Sequence, residues 1–169
     1  MQHYIKVNIN TLINSNLAEY IYAYRRDKTD LESYHYILKN KPKYIIRLDI
    51  KDFFGSINKV YLYKKIEEIG VNKNFIKLIQ DSLLHHKRGV PAGHVLSCAL
   101  SNLCLTEFDN EFTINYTRYS DDMMFALDSK KEIDKRIESI SKRLNGYGFS
   151  LNENKTRIVE KPTLNKLKK

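Results

Sequence analysis

Apolar positions recur along this chain with two different periods, and the places where one gives way to the other mark its elements. Tyr44-Ile45-Ile46-Arg47-Leu48-Asp49-Ile50 is β-branched and apolar, which predicts a buried strand over 44 to 50. Residues 114 to 119 and 123 to 127 read as two further strands, joined through Ser120-Asp121-Asp122 as a short hairpin. Phe149-Ser150-Leu151 and residues 156 to 159 are strand-like and close the domain. Helical spacing fills the intervals. A mixed amphipathic segment covers 9 to 24, and a short helix over 30 to 39 takes Asp30 as its cap. Helices follow near 59 to 69, ending at Gly70, near 72 to 85, and over roughly 95 to 112. Ser129-Lys130-Lys131-Glu132 reads as a capping box opening a helix with Ile133, Ile137, Ile140 and Leu144 on one face, stopped at Gly146. The order predicts an α+β fold with no repeat or internal linker.

Two of these strands carry acids where an apolar pattern ends. Asp121 and Asp122 sit in the hairpin connection, where adjacent anions repel and neither has a Lys or Arg beside it in the turn. A solvated turn is the plain alternative, since Asp side chains bond their own backbone in turns. Asp49 adds weight to the other reading. An ionised carboxylate at the end of a buried strand needs a partner, because desolvation costs several kcal/mol. Mg²⁺ is such a partner, a hard cation held by one or two carboxylates with waters and phosphates. Three acids converging at one sheet end therefore suit a two-metal phosphoryl-transfer site.

Four segments, in this order, resemble palm motifs A, B, C and D of reverse transcriptases. They are Ile46-Arg47-Leu48-Asp49-Ile50-Lys51-Asp52-Phe53-Phe54-Gly55-Ser56-Ile57, then Arg88-Gly89-Val90-Pro91-Ala92-Gly93-His94-Val95-Leu96-Ser97, then Tyr119-Ser120-Asp121-Asp122, and Gly148-Phe149-Ser150-Leu151-Asn152-Glu153-Asn154-Lys155-Thr156. The match spans roughly residues 20 to 158 and is similar to retron, group II intron and phage-defence enzymes. The resemblance implies a polymerase palm, a ferredoxin-like or RRM-like antiparallel sheet packed on helices, over 44 to 160. A partial fingers region over 1 to 43 and a basic tail over 161 to 169 flank it.

The same resemblance implies roles. Asp49, Asp121 and Asp122 correspond to metal ligands, with the Ile50 carbonyl assisting, for two Mg²⁺ ions or Mn²⁺ in their place. Phe54 corresponds to an aromatic gate against a ribose 2′-hydroxyl, so deoxynucleotides are expected. Asp52, Phe53 and Tyr119 flank the nucleotide site; of Phe53 and Phe54 one is expected to be core, since neighbours on an extended segment face opposite ways. Motif B departs from the family: Pro91-Ala92-Gly93 stands where Pro-Gln-Gly is usual, removing a hydrogen-bonding amide from the nucleotide side. Gly89 and Gly93 still allow backbone to approach a ligand closely. Lys155 matches a lysine proposed to protonate the pyrophosphate leaving group.

Composition narrows the picture. The 169 residues suffice for one core, and 29 Lys and Arg against 20 acids leave a formal charge of +9, which suits a polyanionic partner. Twelve tyrosines and seven phenylalanines offer stacking surfaces, though most serve packing. Cys98 and Cys104 read as reduced core thiols, and His85-His86 as a polar loop without a third ligand. With no apolar run of transmembrane length and no signal-peptide pattern, a cytoplasmic location without membrane contact is expected.

The expected activity is RNA-directed DNA synthesis from dNTPs on an RNA template. Fingers are present only as Tyr24-Arg25-Arg26-Asp27-Lys28 and a thumb is not apparent. Another copy, a partner protein or a structured non-coding RNA is expected to complete the cleft, and the tail 161 to 169 to be frayed and near a nucleic-acid backbone. The alternatives are a non-catalytic nucleic-acid-binding or assembly subunit on the same palm, and another two-metal nucleotidyl transferase or cyclase.

Overall fold

A computed structural model describes residues 2–83 and 87–168, with side chains from residue 9 onward except Val95. The expectations for His85 and His86, and for the end of the helix that contains His85, lie outside the described residues. The elements in chain order are α1 (Gln2–Ser15), α2 (Asp30–Leu38), β1 (Tyr44–Asp49), α3 (Phe53–Ser56), α4 (Lys59–Glu68), α5 (Lys73–Leu83), α6 (Val95–Ser101) and α7 (Thr106–Asn110). Then come β2 (Tyr116–Tyr119), β3 (Asp122–Leu127), α8 (Ile133–Gly146), β4 (Arg157–Glu160) and α9 (Leu164–Leu167).

The strands form one antiparallel sheet in the order β2-β3-β1-β4. Helices between β1 and β2, and α8 between β3 and β4, make this the split β-α-β arrangement of ferredoxin-like folds. Alternation along β1 and β3 divides the sheet into two faces. Ile46, Leu48, Met123, Phe125 and Leu127 enter the large core with Ile9, Ile13, Leu62, Ile66, Phe108, Ile140 and Leu144 from the helices. Ile45, Met124 and Ala126 face the other way, under a thin cover made by Tyr34 and Ile37 of α2 and Leu167 of α9. Arg47, Asp49 and Asp122 share this second face by alternation, so the acids lie where the sheet is least covered.

Several local expectations are corrected. Helix α2 is capped by Thr29 rather than Asp30: Thr29 Oγ1 accepts the Glu32 N–H at 3.3 Å while Glu32 accepts the Thr29 N–H at 2.7 Å. Ser129 precedes a 3₁₀ turn at Lys130–Glu132 and makes no capping bond, so α8 begins at Ile133. Its other end is as expected, at Gly146, and the left-handed residue beyond it is Gly148, φ +83°. The long helix expected over 95 to 112 is broken by a 3₁₀ stretch, Asn102–Leu105, where Asn102 is buried with its side chain bonded across the core. Asp122 belongs to β3, which leaves Ser120-Asp121 as a two-residue turn. Residues 149 to 151 contribute only an isolated bridge between Leu151 and Ile50. Cys104 is buried and Cys98 half-buried; both are free, and burial pushes the Cys104 thiol up to about 12.

Residues 161 to 168 of the tail are docked rather than frayed. Leu167 is fully buried among Tyr34, Ile37 and Met124, and Lys166 donates to the carbonyls of Glu160 and Lys161. An apolar side chain among polar neighbours supplies the reason: burying a leucine stabilises by about 2 kcal/mol, enough to order one helical turn against the sheet.

Candidate active site

The Ser120-Asp121 turn brings the acidic end of the sheet together. Ser120 takes a left-handed conformation, φ +59°, which costs an ordinary residue about 1–2 kcal/mol and is therefore held from outside. Arg118 Nη1 donates to the Ser120 carbonyl at 2.9 Å, Tyr24 and Ser120 hydroxyls lie 2.8 Å apart, and the Ile50 N–H donates to the Asp121 carbonyl at 3.0 Å. Asp49 stands directly opposite Asp122 in the β1–β3 register.

Each of these two carboxylates meets a protein cation. Arg47 Nε lies 3.0 and 2.9 Å from the two Asp122 oxygens, and its Nη2 is 2.5 Å from Oδ2. The remaining Arg47 nitrogen, Nη1, donates to the Leu167 carbonyl at 2.7 Å. Asp49 accepts from Asn152 Nδ2 at 3.1 Å and from Lys155 Nζ at 3.0 Å. The turn itself holds no Lys or Arg, as the sequence shows; the offset for Asp122 comes from Arg47 on the neighbouring strand. Burial pushes the Asp122 carboxyl up, Arg47 opposes that, and the Asp121 and Asp49 charges add to it. The hydrogen bond and charge of Asp49 raise the Lys155 ammonium, with smaller contributions from Asp121 and Asp122, so Lys155 senses all three acids.

Arg47, Asp49, Asp122, Lys155, Arg157 and Lys168 line a cavity of about 230 Å³. Among the described residues, no three acidic, His or Cys side chains converge closely enough to form a metal-binding group. Arg47 and Lys155 hold two of the acids instead. The donors still suit a divalent cation in type and charge. A carboxylate has about four lone-pair sites, so bonds to Asn152 and Lys155 leave Asp49 with capacity to bind a hard cation, and mutual repulsion among three acids favours one.

The other expected residues divide by burial. Phe53 is core, 3 % exposed and packed on Phe149 at 5.5 Å between ring centroids. Phe54 is half-buried beside it; the two lie in the single turn α3 rather than on an extended segment. Ile50 is buried and Tyr119 half-buried, paired with Asp122. Asp52 is exposed, left-handed, and 3.5 Å from Arg88. Pro91 is half-buried, and Ala92 and Gly93 are exposed on the loop before α6. Gly89 makes its close approach to protein rather than to a ligand: an added Cβ would lie 2.1 Å from the Phe54 carbonyl oxygen, and the next residue, Val90, donates its N–H to that oxygen at 2.9 Å. Motif A and motif B backbones are thereby joined.

Three contributors escaped sequence reasoning. Arg47 had a signal, being a charge two residues before Asp49 on the same strand face. Asn152 and the buried Arg118 had none that distinguished them from solvated residues.

The family model described as reverse transcriptase (RNA-dependent DNA polymerase) matches residues 1–167. The chain belongs to this family. Retron Ec86 reverse transcriptase from Escherichia coli is 25% identical over 122 residues, covering 68% of this chain and 38% of the relative. Retron Ec73 reverse transcriptase, also from Escherichia coli, is 22% identical over 178 aligned positions, covering 94% and 56%. The chain thus spans between 38% and 56% of the length of these curated relatives. Among solved structures, telomerase from Candida albicans in complex with a fragment of telomeric RNA matches with a TM-score of 0.72 at 14% identity, over 96% of this chain and 35% of that one. Apo telomerase from Candida tropicalis, truncated from its C-terminal domain, gives 0.68 at 18% identity over 94% and 40%. These likenesses establish the α+β palm fold. No described helix is long and apolar enough to cross a membrane.

Proposed function

We propose that this chain is the catalytic palm of an RNA-directed DNA polymerase that adds deoxynucleotides to a primer on an RNA template. The observation that carries the proposal is the meeting of Asp49 and Asp122 across β1–β3, next to Asp121 in the turn, in a chain matched to the family almost throughout. Asp49 and Asp121, with the Ile50 carbonyl, would hold Mg²⁺, or Mn²⁺ in its place; Asp122 would join them if Arg47 releases one of its oxygens. Bound there, two such ions supply an activated attacking oxygen and a stabilised leaving group. Lys155, which donates to Asp49 at 3.0 Å, would give a proton to the departing pyrophosphate. Half-buried Phe54, braced by Phe53, would exclude a 2′-hydroxyl. Residues 1 to 43 would serve as part of the fingers, and another copy, a partner protein or a structured RNA would help hold primer and template.

Labelled dNTP incorporation with Mg²⁺, with and without co-purified RNA, tests the reading. Asp49→Asn and Asp121→Asn should each abolish incorporation while the thermal midpoint stays near wild type. Phe54→Ala should admit ribonucleotides while dNTP use remains broadly intact; unchanged discrimination in an active variant would count against the gate. A second reading, a non-catalytic nucleic-acid-binding subunit, is favoured by Ala92 and by the cations already seated on Asp49 and Asp122. It replaces the first if no combination of template, primer, metal and RNA gives Asp49-dependent incorporation.

A further inference from the structure

Arg118 lies two residues before the acidic turn and is completely buried, as is its partner Asp109, at 0% and 2% side-chain exposure. Its Nε and Nη2 bond the two Asp109 oxygens at 2.9 and 2.6 Å, and Nη1 bonds Asn102 Oδ1 at 3.1 Å and the Ser120 carbonyl at 2.9 Å. The Tyr116 hydroxyl donates to Asp109 at 2.6 Å, and Asn102 Nδ2 donates to the Ala23 carbonyl. The Arg118 backbone is held too, through Tyr20 and Tyr22. The network therefore runs from residues 20 to 23, through the 3₁₀ break after α6, to the carbonyl of the left-handed residue beside Asp121.

Stability alone gives little reason for it. Buried ion pairs can often be replaced by apolar residues of similar size without loss, because desolvation offsets the attraction. What a rigid guanidinium fork adds is direction: four acceptors in fixed relative positions, one of them the Ser120 carbonyl. Ser120 opposes this conformation by sterics and has no glycine's freedom to adopt it. We propose that Arg118 is a positioning residue that locks the Ser120-Asp121 turn and so sets where the Asp121 carboxylate stands. The proposal deepens the polymerase reading, on which its catalytic meaning rests.

The test removes the network while keeping its volume, with Asp109→Leu, Tyr116→Phe and Arg118→Met together; Arg118→Lys is the milder variant. Hydrogen exchange of the Ile50 N–H reports the turn directly, because that N–H donates to the Asp121 carbonyl. Relative to the β1–β3 ladder amides it should exchange on the order of tenfold faster in the triple variant, with global unfolding little changed. A smaller increase is expected in Arg118→Lys, and the Tb³⁺ concentration for half-saturation should rise several-fold in both. Unchanged Ile50 exchange, or parallel acceleration of every ladder amide, overturns the proposal. So does a triple variant that fails to fold while Arg118→Lys exchanges like wild type. If the wild-type chain binds neither Tb³⁺ nor Mg²⁺, the metal reading fails, while the exchange comparison still decides what Arg118 does.

Discussion

At the scale of single residues, the acids were readable because each interrupts or ends an apolar run, where an unpaired carboxylate is costly. Their immediate company was not. Arg47 could be placed on the face of Asp49 by period-two alternation, yet its grip on Asp122 depends on the register between β1 and β3, which joins residues 75 positions apart. That grip is testable. Arg47→Met leaves Asp122 with its charge uncompensated among Asp49 and Asp121, so unfolding free energy should fall by about 2 kcal/mol. The same change in an Asp122→Asn background should fall much less, and added Mg²⁺ should shrink the loss in the single variant. Urea denaturation of the four-member cycle measures the coupling; equal losses in both backgrounds would mean that Arg47 acts through packing alone.

At the scale of elements, most strand and helix types followed from periodicity; the misplacements fall at caps, at the 3₁₀ break Asn102–Leu105 inside the segment 95 to 112, and at residues 149 to 151, which make only a bridge. Thr29 outcompeted Asp30 as a cap because Glu32 lies three residues after it and completes the reciprocal bonds. Ser129 has a glutamate at the same spacing, but a 3₁₀ turn intervenes and the box does not close. Gly89 illustrates how tertiary contact fixes the meaning of a residue. Gly89→Ala would drive a methyl into the Phe54 carbonyl from a left-handed backbone, and roughly 3 kcal/mol of stability should be lost. Gly93 has a similar backbone but open space, so Gly93→Ala should lose roughly 1 kcal/mol. Chemical denaturation of the two variants checks this; equal losses would mean that the motif A to motif B contact does not constrain Gly89.

At the scale of the whole molecule, net charge governs behaviour that no single site explains. With +9 overall, binding to single-stranded RNA should weaken steeply with salt, log K falling by about 0.7 per phosphate contacted for each decade of salt, and depend little on base sequence. Fluorescence anisotropy across a salt series checks this; a flat response, or strong preference for one sequence, would point instead to a built base-reading pocket. Near neighbours and residue chemistry were enough for the alternation behind the strands and helices, the acids at strand ends, the basic balance and the ordered motifs that mark the family. Which cation meets which acid, the closing of the second sheet face by Leu167, the fit of Gly89 against the Phe54 carbonyl and the reach of buried Arg118 to the acidic turn came from long-range contacts. Those outcomes depend on strand register and on burial by segments far apart in the chain. Desolvation and hydrogen-bond geometry then act on whatever the fold has brought within about 3 Å.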